Sequence, residues 1–271
     1  MSTPRRPVPD KEQFVSSLAR GLAVLRAFGP AGPELTLSEV ATATDLNPAV
    51  ARRFLLTLVQ LGYVKKVGRT FVLTPQVMEL GAGYPDSMNL AEVAQPHLQH
   101  LRDETGDSVS LTTLIGVDII HLCHMQTEGL LRFAVTPGSR VPAYVSATGR
   151  AILAFQPEPR LAAYFAAAHL LRRTPHTVTT EAGLRDCLER ARRDGYALVA
   201  DELDFGITVL GVPIFNDGVA IAGISCATTS GRQPTDEFLR SRLPLLQSAA
   251  TALRRQLDRF PALVHSLDLG V

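Results

Sequence analysis

The sequence predicts an α+β chain of two domains, a small helical domain closed by a β-hairpin and a larger one whose helices flank a mostly antiparallel sheet. Three observations lead there. The chain has 271 residues, about the size at which a single hydrophobic core stops growing. Apolar residues recur every three or four positions as far as Leu61 and every two from residue 108. Charge divides in the same way: residues 1–82 carry 10 Lys/Arg against 6 Asp/Glu, and residues 83–271 carry 17 against 20.

Composition excludes several classes. Hydrophobic residues make up 46% and charged residues 20%, the balance of a globular protein and not of a disordered or fibrous one. Cys123, Cys187 and Cys226 are too few and too scattered for a disulfide framework and form no C-x-x-C pair, which suits a reducing cytoplasm. The opening MSTPRRPVPDKEQ has no apolar core of a signal peptide, and no later run is long enough to span a bilayer. A cytoplasmic location is expected, with no membrane partner and residues 1–13 as a disordered tail.

Element by element, Phe14, Leu18, Leu22, Leu25 and Phe28 give a first helix stopped by Gly29-Pro30. Thr36-Leu-Ser-Glu39 is a capping-box pattern opening a short helix with Leu37, Val40 and Ala41 inward. Asp45-Leu46 makes a turn, and Asn47-Pro48 pairs an N-cap residue with the proline favoured at a first helical position. The third helix then runs to Leu61 with Val50, Phe54, Leu58 and Leu61 on one side and Ala49, Arg52, Arg53 and Gln60 on the other. Gly62 ends it, and YVKKVGRTFVL reads as a hairpin whose tip carries Lys65, Lys66 and Arg69.

Two helices joined by a tight turn after a first helix are a helix-turn-helix arrangement. From Asn47 to Thr70 there are five basic residues and no acidic one, a field suited to a polyanion as well as to a plain solvated face. Asn47, Ala49, Arg52, Arg53, Lys65, Lys66 and Arg69 are therefore the candidate contacts to double-stranded DNA.

Thr74-Pro75 reads as a cap opening a short linker helix through Met78 and Leu80, ahead of Gly81 and Gly83. A helix from Asn89 must kink or restart at Pro96. Strands are expected at 108–115, 119–125, 130–135, 197–199, 207–215 and 219–227, and helices near 149–155, 160–167, 181–194 and 236–259.

Catalytic and metal chemistry finds little support. In His121-Leu-Cys123-His124, strict alternation would point 121 and 123 one way and 124 the other, so one tetrahedral ion could not collect all three. Asp201, Glu202 and Asp204 fit a solvated loop more simply than acid/base chemistry. Ser225 and Cys226 lack a G-x-S-x-G elbow, and no phosphate-binding glycine loop occurs. No enzyme, cofactor or metal is expected. Ser146-Ala-Thr-Gly-Arg150 leads from a Pro-containing loop into a helix; the amides of Ala147, Thr148 and Gly149 could hold a carboxylate or simply form an ordinary cap.

The stretches SLARGLAVLRAF, LTLSEVATATDL, ARRFLLTLVQLGYV and FVLTPQVMELG resemble the winged helix-turn-helix of the IclR family of bacterial transcription regulators. QPHLQHLRDETGDSVSL, RVPAYVSATGRAILA, GYALVADEL and FGITVLGVPIFNDGVAIAGISCA resemble that family's effector-binding domain, in order, over about Ser16 to Leu257. The likeness is greatest to the branch governing catabolism of protocatechuate, 4-hydroxybenzoate and related aromatic acids. It implies a winged module at 14–73, a linker helix at 74–88, a GAF-like effector-binding and oligomerisation domain at 89–260 and a tail at 261–271. The alternative is a stand-alone sensor or enzyme without DNA binding.

One helix-turn-helix module buries too little surface for specific binding alone, so at least a homodimer on a palindromic operator is expected. The resemblance adds a tetramer, and implies a pocket formed by the Ala147–Gly149 loop with Leu130, Phe133, Val141, Ile207 and the strand around Ser225. Relatives that bind small oxo acids carry an acidic residue, a thiol and two hydroxyls in that pocket. The matching positions here are Val199, Val209, Ser225 and Ala227, so the resemblance implies a small aromatic acid as effector in place of a smaller, more polar one.

Overall fold

A computed structural model of the protein describes residues 14–29, 31–127 and 135–267. The expected tail at 1–13, most of the strand at 130–135, and with it Leu130 and Phe133, lie outside the described residues. The chain divides into two compact units, the first ending at Tyr84 and the second beginning at Pro85. Among the described residues no helix is long and apolar enough to cross a membrane.

The first unit packs α1 (Ser16–Ala27), α2 (Leu37–Thr44) and α3 (Pro48–Gln60) against a three-stranded sheet of order β1-β3-β2. The capping box forms as its residues require: the Glu39 amide donates to Thr36 Oγ1, and Glu39 Oε2 accepts from the Thr36 amide at 2.7 Å. Asn47 caps α3 by accepting from the Ala49 amide at 2.9 Å. At the far end Gly62 takes φ +85°, and the Gly62 and Tyr63 amides donate to the Val59 and Leu58 carbonyls. That is a Schellman ending, which turns the chain directly into β2 (Val64–Val67) and β3 (Thr70–Leu73).

Three details of this unit depart from the expected pattern. The core is built on Val24, Ala27 and Phe28 of the first helical segment, whereas Phe14, Leu18 and Leu22 are 53%, 64% and 41% exposed. On α3 the buried residues are Ala51, Leu55 and Leu58, and Leu61 is exposed. An apolar-rich helix offers two possible stripes, and only packing selects one. A strand that the sequence did not announce, β1 (Glu34–Thr36), pairs antiparallel with β3 and makes β3 the central strand of three.

The link also differs. Thr74 makes no cap; its hydroxyl donates to the Gly62 carbonyl at 2.6 Å, tying the end of β3 to the end of α3. A 3-10 turn (Pro75–Met78) leads into α4 (Glu79–Ser87), which runs on through Gly81, Gly83 and Pro85 instead of stopping at the first glycine.

In the second unit α5 (Leu90–Val93) ends and α6 (Gln95–Thr105) restarts with Pro96 in its first turn, where a missing amide costs nothing. Six strands form one antiparallel sheet of order β6-β5-β4-β9-β8-β7. They are β4 (Ser108–Ile115), β5 (Asp118–Met125), β6 (Arg140–Pro142), β7 (Ala197–Ala200), β8 (Ile207–Asn216) and β9 (Val219–Thr229). The short β6 was not legible as a strand. Along β4, β8 and β9, Val109, Leu111, Leu210, Val212, Ile224 and Cys226 form one buried face, while Ser108, Ser110, Val209, Gly211, Ser225 and Ala227 occupy the other.

Helices α8 (Glu158–Ala167), α9 (Glu181–Asp194) and α10 (Thr235–Leu257) lie where the periodicity put them. The tail expected from residue 261 is in part a helix, α11 (Pro261–Leu267), held by the buried Leu263 and Leu267.

Helix α7 (Ala147–Leu153) is fully buried and starts two residues earlier than expected. It sits so close to the sheet that a Cβ on Gly211 would lie 2.7 Å from the Ala147 and Thr148 backbone, and one on Gly223 would lie 3.0 Å from Thr148 Cβ. A Cβ on Gly149 would fall 2.3 Å from the Ala143 carbonyl oxygen. Three glycines thus remove the side chains that would hold α7 off. We expect Gly211→Ala to lower the stability of the second unit by about 1–3 kcal/mol, as overpacking against backbone does. Gly81→Ala, on α4 within the first unit, adds a Cβ that meets nothing within 4 Å and should not lower the urea midpoint of either unit.

Candidate functional site

A cavity of about 110 Å³ opens between the polar face of the sheet, the start of α7 and the loop after β7. It is of the order of the roughly 150 Å³ apolar cavity known to hold a benzene ring. Its floor follows from strand register. One row across the sheet reads Val199, Val209, Ala227, Ser108; the next reads Gly211, Ser225, Ser110, His124. Neighbouring strands are about 4.8 Å apart. The floor is therefore apolar towards β7 and β8 and polar towards β4 and β5, with Ile207, Val141 and Ile119 adding apolar wall.

Both histidines of β5 line this cavity. The ladder with β4 slips between Leu111, opposite Cys123, and Thr112, opposite His121, leaving Leu122 as the extra residue of a bulge. Strict alternation is thereby broken: His121 and His124 share one face, with ring centroids 6.3 Å apart, and Cys123 takes the other. This corrects the orientation expected from a regular strand. Among the described residues no three His, Cys, Asp or Glu side chains are placed to hold a metal ion.

The hydrogen bonds of the two rings differ. His121 Nδ1 donates to the Ser139 carbonyl at 3.1 Å, since a carbonyl can only accept. His124 Nδ1 lies 2.9 Å from Ser110 Oγ, where either atom can donate. Burial holds both imidazoles below the ordinary histidine value, and for His124 the neighbouring His121 adds to the effect. Burial also raises the Cys123 and Cys226 thiols, to about 11 and about 12, so neither is a thiolate near neutrality.

The α7 wall is built by Ser146, whose hydroxyl caps the helix by accepting from the Gly149 amide at 3.2 Å. Thr148 reaches over the floor and its hydroxyl accepts from Thr112 at 2.8 Å. One turn on, the buried Arg150 donates through both terminal nitrogens to Glu202, at 2.7 and 2.5 Å, and through Nε to the Tyr144 carbonyl. Glu202 also accepts from the Val178 amide. The expectation of a solvated acidic loop fails for Glu202, which is 9% exposed and paired. Asp201 is likewise engaged, accepting from the Gly206 amide and the Ser230 hydroxyl; Asp204 remains exposed at the rim.

Of the residues singled out from sequence, Val141, Ala147, Thr148, Val199, Ile207, Val209, Ser225 and Ala227 line the cavity. Gly149 does not: it lies behind, against Ala143, with its amide spent on the cap. Sequence reasoning missed Ser108, Ser110, His121, His124 and Glu202 as lining residues. The Ser108, Ser110, Thr112 alternation along β4 was a readable sign of a polar sheet face, but the bulge and the Arg150 pairing were not.

In the first unit Ala49, Arg52 and Arg53 are exposed on α3, and Lys65, Lys66 and Arg69 are exposed on the hairpin. Among the described residues none of these five cations forms an ion pair with a carboxylate. Asn47 is committed through its side-chain oxygen to the cap. Lys65 and Lys66 lie on β2 itself, with Arg69 alone in the turn after Gly68. Successive residues of a strand alternate, so the two lysines leave the ladder on opposite sides.

Comparison with known proteins fits both units. Residues 17–68 match the IclR helix-turn-helix domain and residues 82–255 match the bacterial transcriptional regulator IclR C-terminal domain. The chain belongs to the IclR family. Its relatives include the Pca regulon regulatory protein of Pseudomonas putida, 36% identical over 90% of this chain and 84% of the relative. The p-hydroxybenzoate hydroxylase transcriptional activator of Acinetobacter baylyi is 30% identical over 90% and 92%. A solved PobR inducer-binding domain from Acinetobacter, a double mutant in complex with 3-hydroxybenzoic acid, has 27% identity and a TM-score of 0.54 over 60% of this chain and 96% of that one. As an IclR-family chain, the protein is a DNA-binding transcription regulator.

Two outcomes are expected from the cavity. Arg150→Ala leaves Glu202 buried without its partner and should cost about 3–5 kcal/mol, whereas Arg150→Met with Glu202→Leu should cost clearly less; denaturant unfolding compares them. The two histidines have folded-state pKa values below their unfolded ones, so on acidification the unfolded chain binds protons first. Their contribution to stability is whole above the ordinary pKa of 6.5 and is lost as the pH falls through the folded-state values. Unfolding midpoints measured across that range should fall with pH, and less so in His124→Gln.

Proposed function

We propose that the protein binds a palindromic operator as a dimer or tetramer and controls a catabolic operon in response to a small aromatic carboxylic acid. The observation that carries the effector reading is a cavity of single-ring size whose floor is apolar on one half and polar on the other. It occurs in a chain related to an activator named for p-hydroxybenzoate hydroxylase and to a domain that holds 3-hydroxybenzoic acid. The ring lies against Val141, Val199, Ile207, Val209 and Ala227, and its polar substituents meet Ala147, Thr148 and Ser225. Glyoxylate has too little apolar surface for such walls, and desolvating its oxygens there costs on the order of 1–3 kcal/mol per unpaired group.

On the DNA side, Arg52 and Arg53 reach the major groove or its flanking phosphates, with Ala49 at the helix start, and Lys65, Lys66 and Arg69 meet the backbone or the minor groove beside it. One such module buries too little surface for specific binding alone, which favours a two-fold assembly. The exposed Phe14, Leu18 and Leu22 stripe supports α1 as a contact between protomers.

The deciding experiment is fluorescence anisotropy with DNA from upstream of the chain's own gene, with and without 3-hydroxybenzoate or 4-hydroxybenzoate. Arg52→Ala or Arg53→Ala should cost about 1–3 kcal/mol and relax base preference, whereas Lys65→Ala should weaken all sequences alike and reduce the salt slope by about one. Calorimetry that finds tight glyoxylate binding and no heat with either aromatic acid would refute the effector reading.

A further inference from the structure

The cavity raises a question of charge. An aromatic acid enters as an anion, and leaving its carboxylate half-buried without a countercharge is costly. Among the described residues the lining contains no Lys or Arg. Arg150 stands behind the wall and is already neutralised by Glu202. Near the α7 wall nothing favours an anion: the Arg150–Glu202 pair is neutral as a whole, Asp204 faces the cavity from the rim, and the Gly149 amide is taken by Ser146. On the opposite side the Gly211, Ser225, Ser110, His124 row offers two hydroxyls and an imidazole on adjacent strands. That places about 10 Å of polar floor next to the apolar half.

We propose that Ser225, Ser110 and His124 form the carboxylate subsite, and that His124 takes up one proton from solvent as the aromatic acid binds. The assignment rests on the reading of an aromatic acid as effector. The proton adds to the free ring-nitrogen lone pair, no bond to carbon changes, and the proton returns to solvent when the acid leaves. Taken up at Nδ1, it turns that nitrogen into a donor to Ser110 Oγ, so the Ser110 hydrogen is released to point at the carboxylate.

Among the described residues, the groups facing His124 are consistent with a single charging event. On its own strand His121 lies 6.3 Å away between ring centroids, so two imidazolium ions would repel. His121 is the weaker candidate because its Nδ1–H is held by the Ser139 carbonyl and it lies outside the row of hydroxyls. From β4 the facing group is the uncharged Ser110; from the loop after β7 they are Asp204 and the Arg150-bound Glu202. The imidazole is neutral in the ligand-free protein near pH 7, since burial lowers its pKa, and the entering anion reverses that preference. The effector and the proton then bind as a linked pair, with meta- or para-hydroxyl groups directed towards Thr148 and Glu202.

Calorimetry of the full chain with 3-hydroxybenzoate, run at each pH in two buffers of different ionisation enthalpy, counts the protons directly and needs no variant. The acid stays ionised from about pH 6 to pH 8, so its own titration does not interfere. The expected result is uptake approaching one proton and an affinity that rises up to about tenfold per unit fall in pH. The uncharged analogue 3-hydroxybenzamide should bind without pH dependence, and His124→Gln, checked for an unchanged fold by circular dichroism, should abolish the uptake. Binding of the acid with no proton uptake, or uptake that survives in His124→Gln, overturns this subsite while leaving the effector reading intact. Failure of every aromatic acid to bind overturns both.

Discussion

The cavity exists because α7 lies almost in contact with the sheet backbone. Gly211 and Gly223 provide that approach, Gly149 lets the preceding turn fold back on the helix, and the Arg150–Glu202 pair ties the helix to the loop after β7. A buried ion pair is weak in net stabilisation but strict in geometry, because two charges with little water around them tolerate little displacement. Its position is informative: it joins two of the elements that wall the cavity, so the walls are held in register with the floor. Thr148 and Ser146 are then aimed by backbone, and their mutual hydrogen bonds use the freedom left to them.

The histidine pair illustrates why part of the site lay beyond sequence reasoning. Helix caps and turns are local, so Thr36 to Glu39, Asn47-Pro48 and Gly62 could be read directly and occur as read. The positions of Val199, Val209, Ser225 and Ala227 came from family resemblance, and strand register then brings all four to the cavity. A bulge at Leu122 depends on how two strands pair across the sheet, and nothing in the five residues around it distinguishes it from regular alternation. The burial of Glu202 depends on Arg150, which is 52 positions away in the chain. For the same reason α1 and α3 are legible as helices while their buried faces are legible only in part: Phe28 and Leu58 of the expected stripes are buried and Phe14, Leu18, Leu22 and Leu61 are not, since each helix carries more apolar residues than one core can cover.

The apolar and polar halves of the floor also divide the chemical work. Dispersion and burial act on any ring of the right thickness and discriminate little between substituents. Selectivity falls to the polar atoms that would be left unpaired by a wrong ligand, a penalty larger than the gain from pairing them. Apolar side chains at Val199, Val209 and Ala227 therefore do not make the floor unselective. The polar side chains of the floor stand instead on β4, β5 and β9, at Ser108, Ser110, His121, His124 and Ser225.

The Schellman turn at Gly62 and the Thr74 hydroxyl bond to its carbonyl bind the end of α3 to both arms of the hairpin. Helix and wing are consequently a caliper with a fixed gap rather than two fingers that close independently. With α3 and the wing docked as proposed above, such a reader would measure the distance between a major groove and the neighbouring backbone as well as the bases within the groove. Operator segments whose groove width already equals that gap are favoured, and stiff segments of another width are discriminated against at positions that no side chain touches.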